Sequence, residues 1–309
     1  MPLTRRDFLA LAAALLVPGC GRMPTAGSTE YMAWGQAGRS GGAFIKPRAV
    51  EVIEGEVYVI DTTGRVQVFD LDGQFTRSWN LPACENGTPT DLSPDGKGRL
   101  VIADTHYSRI LECTTQGEVL ANWGTYGTGE DQFIYPTGVA RSPDGTYYIS
   151  EYGMDAERVH VFDGERKFLR QWGRQGSGEG EFSRAMAIGI DNEGTVYVVD
   201  TANHRAQCFD GEGKLLRVIG EPGGAPGQLK YPEDISFAPD GSIFMCEYGN
   251  HRVSRFRRDG TFIACYGRPG RKLGEFNGPR GVAVSDSGHV FVADTDNNRM
   301  QRIEVRGLR

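Results

Sequence analysis

The chain has 309 residues and a formal net charge of −6, and its 43 glycines are about twice the ordinary ~7% while its 15 prolines are not in excess. Abundant glycine without abundant proline favours many tight turns over disorder. The acidic balance argues against binding to a phosphate backbone, which draws its affinity from clustered Lys and Arg.

In chain order, Thr4-Arg5-Arg6-Asp7-Phe8-Leu9, followed by an apolar run to Val17, resembles a twin-arginine export signal. The run is ten residues long where a membrane span needs ~20, so it reads as the apolar region of a signal peptide and not as an anchor. Val17-Pro18-Gly19-Cys20 resembles a lipobox, in which the cysteine receives lipid and becomes the new N-terminus. Pro18 departs from the small or β-branched residue usual there, and an unlipidated cysteine inside a cleaved signal is the plainer alternative. Residues 21–30 are small and polar, as a flexible tether is. The expected organisation is a signal peptide at 1–20, a tether at 21–30 and a single periplasmic domain at 31–309 held to the membrane by lipid on Cys20. Loss of residues 1–20 removes two arginines and one aspartate and leaves a charge of −7, so the case against nucleic acid is unchanged.

The domain is repetitive. A turn glycine recurs at Gly55, Gly98, Gly145, Gly194, Gly241 and Gly288, and six residues later stands an acid: Asp61, Asp104, Glu151, Asp200, Glu247 and Asp294. An arginine follows each time, at Arg65, Arg109, Arg158, Arg205, Arg252 and Arg299. Each unit holds short β-rich runs separated by turn residues, and four strands per unit make one propeller blade. The glycines lie 43, 47, 49, 47 and 47 residues apart, which leaves no room for a second domain. Fourth strands end in a large residue at Trp79, Trp123, Trp172, Ile219 and Tyr266, but the sixth unit has none before Arg309. Tyr31-Met32-Ala33-Trp34-Gly35 is an orphan strand of that type. Pairing it with the last blade closes the ring and removes the open edges.

Gly281-Val282-Ala283-Val284, His289 to Asp294 and Asn297-Asn298-Arg299 resemble an NHL repeat, as do Asn203-His204-Arg205 and Asn250-His251-Arg252. The resemblance spans residues 31–305 and implies an all-β, six-bladed NHL-type propeller closed by the N-terminal strand. It implies little about function, because such propellers serve as RNA readers, protein-binding platforms, sensor domains and a few lyases. The zinc-dependent amidating lyases among similar propellers carry histidines just after the proline that opens a blade. Those positions here hold Arg48, Thr90, Thr137, Glu233 and Arg280, with Met186 where the proline is missing, so the resemblance does not extend to that activity.

For the six repeated acids, a ring of ligands for a structural Ca²⁺ competes with a local acid–arginine brace in every blade, and the brace explains both repeated positions. His204 and His251 share an offset that repetition alone supplies, and the remaining histidines, His106, His160 and His289, form no spaced zinc set. Cys84, Cys113, Cys208, Cys246 and Cys265 have no common spacing and no C-x-x-C pair, so they read as buried thiols, with a disulfide permitted but not required. The glycine-rich stretch Gly173 to Gly180 reads as a flexible connector between blades. No nucleophile elbow or phosphate loop is present in the sequence.

Asymmetry between units is the better guide to a site. Blades 3 and 5 carry Glu151-Tyr152-Gly153 and Glu247-Tyr248-Gly249 where others have Asp-Thr, and first strands begin with Arg48, Glu233 and Arg280. Together Arg48, Glu151, Tyr152, Glu233, Glu247, Tyr248 and Arg280 form the expected mouth for a protein or a small anionic ligand. The reading is a non-catalytic, monomeric binding platform with no cofactor and no nucleic-acid partner, touching the membrane only through its lipid. Its alternative is a metal-dependent lyase or hydrolase working in the central channel.

Overall fold

The computed structural model describes residues 29–153, 156–305 and 307–308. The export signal, Cys20 and most of the tether lie outside the described residues. What is described is almost wholly β, in six four-stranded antiparallel sheets. Blade 1, for example, runs Pro47–Ile53, Glu56–Asp61, Arg65–Asp70 and Phe75–Asn80, from the channel outward.

The sixth blade is assembled from both ends of the chain. Its strands Gly281–Val284, His289–Asp294 and Arg299–Glu304 are completed by Glu30–Trp34, which pairs antiparallel with Arg299–Glu304 in the register Tyr31↔Ile303 and Trp34↔Met300. The expected closure is therefore the observed one.

Alternation along the strands builds the core between blades and not within one sheet. Six apolar clusters fill the six junctions, and the one joining the last blade to the first contains Phe44, Val50, Val57 and Phe69 beside Ala283, Phe291 and Met300. The large residue ending each fourth strand is a wedge between blades. Trp34 lies against Phe69 and Phe291 and covers Gly73 of blade 1, where an added Cβ would stand 2.6 Å from the indole. Trp172 covers Gly213 in the same way, also at 2.6 Å. These turns need glycine both for their positive φ and for the ring above them.

The segment from Gly173 to Gly180, read above as a flexible connector, is an ordered inter-blade loop. Phe182 N–H donates to the Arg174 carbonyl at 2.8 Å, Gly176 N–H to the Phe182 carbonyl at 2.9 Å and Gly178 N–H to Glu181 at 2.8 Å. Its glycines are demanded by geometry: Gly173 has a φ of 98° and lies over the Phe182 ring. Phe44, Phe133, Leu229 and Phe276 occupy the same place in the other long inter-blade loops, each lying against a glycine.

Candidate functional site

All six repeated acids form the expected braces. The carboxylate–arginine distances are 2.9 Å for Asp61–Arg65, 2.7 Å for Asp104–Arg109, 2.6 Å for Glu151–Arg158, 2.7 Å for Asp200–Arg205, 2.6 Å for Glu247–Arg252 and 2.7 Å for Asp294–Arg299. Each arginine also donates to carbonyls of the incoming loop, as Arg205 does to Gly178 and Glu181, so the brace ties loop to blade. Glu151 and Glu247 are consequently buried inside the braces and do not line the mouth, where the sequence had placed them. Glu151 accepts from Ile134 N–H at 2.6 Å and contacts the buried His160 Nε2 at 2.7 Å, and Glu247 accepts from Lys230 N–H at 3.0 Å and Ser254 Oγ at 2.5 Å. His160 thus takes the place held by Gln207 and Gln301 in other blades. Asp104 is the exception: one of its oxygens is buried without a partner, and burial raises its pKa.

The repeated histidines join blades. His204 Nδ1 accepts the Tyr231 N–H at 3.0 Å and His251 Nδ1 accepts the Gly278 N–H at 2.9 Å, while in blade 6 Asn298 Oδ1 does the same for Lys46 N–H at 2.9 Å. Burial lowers both histidine pKa values, consistent with neutral rings acting as acceptors. Among the described residues, no three His, Cys, Asp or Glu side chains group as a metal site needs.

The remaining mouth residues do meet. In blades 1, 3, 4 and 5 the first strand slips register by one residue against the second, at Arg48, Thr137, Met186 and Glu233. A bulge re-aims its extra residue. With Thr90 and Arg280 of blades 2 and 6, these are the six positions that follow the blade-opening proline or its Ala185 equivalent. Arg280 pairs with Glu233 at 2.8 Å, and its guanidinium lies 4.4 Å from the centre of the Tyr248 ring. Arg184, at a φ of 56°, lies over Tyr152 at 5.9 Å, and Tyr152 in turn neighbours Tyr135 at 5.6 Å. The two tyrosines replace threonines that elsewhere pin adjacent blades: Thr201 Oγ1 donates to the Pro232 carbonyl and Thr295 Oγ1 to that of Pro47.

Arg48 is different. It is half-buried and makes no hydrogen bond or ion pair with the described residues, yet it feels Arg280, Glu233, Tyr152 and Arg184, groups from blades 3 to 6. Burial, and then the charge of Arg280, lower its pKa.

Beyond the mouth, first strands from all six blades enclose a cavity of about 260 Å³. Three carboxylates missed in the sequence reading line it: Glu51, Asp91 and Asp234. Glu51 and Asp234 keep part of their surface on the cavity, with protein around most of each carboxyl group. Burial raises all three pKa values, Glu51 to about 8, and mutual repulsion adds to the rise of Asp91. Both aspartates have ring-building roles. Asp91 accepts the Val139 N–H of blade 3 at 3.0 Å and Asp234 the Val282 N–H of blade 6 at 2.9 Å. The signal was available, since Asp91 and Asp234 occupy one repeat position three blades apart, as do Ser93 and Ser236 two residues on. Glu51, opposite Gly189 in that scheme, breaks the two-fold pattern.

The sequence profile of the NHL repeat matches residues 276–303, which are the end of the last inter-blade loop and most of blade 6. The chain is a six-bladed propeller with an NHL repeat in its last blade. Solved structures with the same fold share little sequence with it. Virginiamycin B lyase from Staphylococcus aureus is 13% identical, with 90% of this chain and 100% of that one covered and a TM-score of 0.61. An auxiliary nutrient binding protein from Bacteroides ovatus ATCC 8483 is 15% identical, with 89% and 77% covered and a TM-score of 0.68. Hydrazine synthase from Kuenenia stuttgartiensis is 14% identical, with 88% and 99% covered and a TM-score of 0.60. Identities this low speak to the propeller fold alone.

Proposed function

We propose that this NHL-type propeller is a non-catalytic binding platform, exported through its twin-arginine signal and held at the periplasmic membrane face by lipid on Cys20. The face it uses is the channel end where first strands begin. The supporting observation is the uneven ring of Arg48, Thr90, Thr137, Met186, Glu233 and Arg280. A ring built only as scaffold repeats its residues, as the braces do, whereas this ring places three chemistries around one opening. The channel carboxylates, on which a catalytic reading would rest, are accounted for in part by inter-blade hydrogen bonds from Asp91 and Asp234. The likeness to a nutrient binding protein is compatible with a binding role but supplies no ligand.

The test is proximity capture in the native cell envelope with the wild-type chain and an Arg48→Glu/Arg280→Glu variant whose folding is checked by circular dichroism. The platform reading expects a specific captured species that the variant loses. Identical capture by both chains overturns it, as does a stoichiometric metal whose removal abolishes a measurable turnover. Fractionation of wild-type and Cys20→Ala chains checks localisation: the variant should move from membrane to soluble periplasm.

A further inference from the structure

We propose that the channel mouth is an oxyanion subsite, in which Arg48 receives a carboxylate or phosphate group of a ligand whose flat part lies along the Tyr152 or Tyr248 side. This deepens the platform reading and rests on it.

The electrostatics of the mouth leave one cation unanswered. Among the described residues, Glu233 is the one carboxylate in ion-pair contact with any of the three mouth arginines, and it holds Arg280. Arg184 lies over Tyr152, and among the described residues its side chain makes one hydrogen bond, to Met186 Sδ at 3.9 Å. Among the described residues Arg48 has neither an anion nor an acceptor, although five donors on a guanidinium taken even partly out of water ordinarily find partners. The other half-buried arginines nearby in the repeat show the contrast, each brace arginine having both a carboxylate and carbonyls. The Arg48 guanidinium is partly withdrawn from water, which costs stability, and is still open to an anion that would complete it.

Geometry supports the same assignment. Arg48 sits on a bulge, which takes its side chain out of the regular alternation of the strand. Arg280 lies over Tyr248 and Arg184 over Tyr152, and Arg48 feels both charges. An oxyanion between them relieves that repulsion and accepts a forked pair of hydrogen bonds from Arg48. Tyr152 and Tyr248 supply aromatic surface beside the arginines, each already in contact with one of them.

The probes are inorganic phosphate, benzoate and phenyl phosphate, titrated calorimetrically into the full exported chain in Tris–chloride buffer of low ionic strength, with thermal melts alongside. At least one aromatic probe should bind more tightly than inorganic phosphate and raise the melting temperature. The pattern among the three separates carboxylate from phosphate as the preferred group. Arg48→Met should weaken that binding roughly ten- to hundred-fold. It should also melt higher than wild type without anion, which a purely structural arginine would not do. Arg174→Gln, on the exposed inter-blade loop, should bind as wild type. No binding of any probe, or binding unaltered by Arg48→Met, overturns the oxyanion assignment. If that occurs while envelope capture still depends on the mouth, the platform reading stands without it. If the probes bind through Arg48 but capture ignores the mouth, the assignment stands and the platform reading fails.

Discussion

Replacing Glu51 with glutamine removes one titratable group from the channel wall while keeping its shape and the oxygen that accepts the Val52 N–H at 2.8 Å. Burial lifts the Glu51 pKa from 4.5 to about 8. Between those values the unfolded chain has released a proton that the folded chain retains. The stability due to this group is therefore complete below about pH 4.5 and is lost as pH rises to about 8. At ~1.4 kcal/mol per pH unit the full loss is roughly 5 kcal/mol, an upper value because water in the void and small relaxations reduce it. Glutamine has no such loss. Melts of both chains across pH 4.5 to 8.5 should start together and diverge, the variant ending about 10 °C higher at ~2 °C per kcal/mol for a chain of this size. Groups common to both chains cancel in the difference. Parallel curves, with one offset at every pH, would refute the claim that the void holds Glu51 protonated.

Three further outcomes follow from the same contacts. Deleting residues 30–35 removes the strand paired with Arg299–Glu304 and the Trp34 wedge, so size-exclusion chromatography should show aggregates or oligomers, and a well-folded monomer would contradict the closure. Asp200→Ala leaves Arg205, Asn203, Gln207 and the Ser183 N–H without their shared acceptor, and urea unfolding should register a loss of about 3–5 kcal/mol. His204 and His251 have folded pKa values below 6.5, so the stability they contribute is present above about pH 6.5 and lost as pH falls below it. A His204→Asn/His251→Asn chain, copying Asn298, should lose less melting temperature than wild type between pH 7 and pH 5.

Much of this was legible in one dimension because a propeller is a repeat. An acid six residues after each turn glycine and an arginine soon after it imply a contact made six times, and six braces are present. The orphan strand at Tyr31 likewise announced the closure, since one blade lacked its fourth strand and one strand lacked a blade. Side-chain type at a repeated offset also identified the ring from Arg48 to Arg280. What the chain alone misjudged was direction. Glu151 and Glu247 looked like partners of Tyr152 and Tyr248, but successive residues of a strand point to opposite faces, so the acids turn into the braces while the tyrosines reach the mouth. Loop order was misjudged too: Gly173 to Gly180 looks pliant as composition, and becomes fixed only when Phe182, Glu181 and Arg205 reach it.

Local chemistry therefore determined the strands, turns, braces and blade number, because each depends on residues within one or two repeats. Ring closure decided everything that depends on distance across the axis. Glu51, Asp91 and Asp234 are separated by 40 residues or more, and only the circle brings them to one void where burial keeps protons on them. The circle also sets Arg48 of blade 1 among groups of blades 3 to 6, and a guanidinium's lack of a partner is a property of that surrounding space, which no stretch of sequence contains.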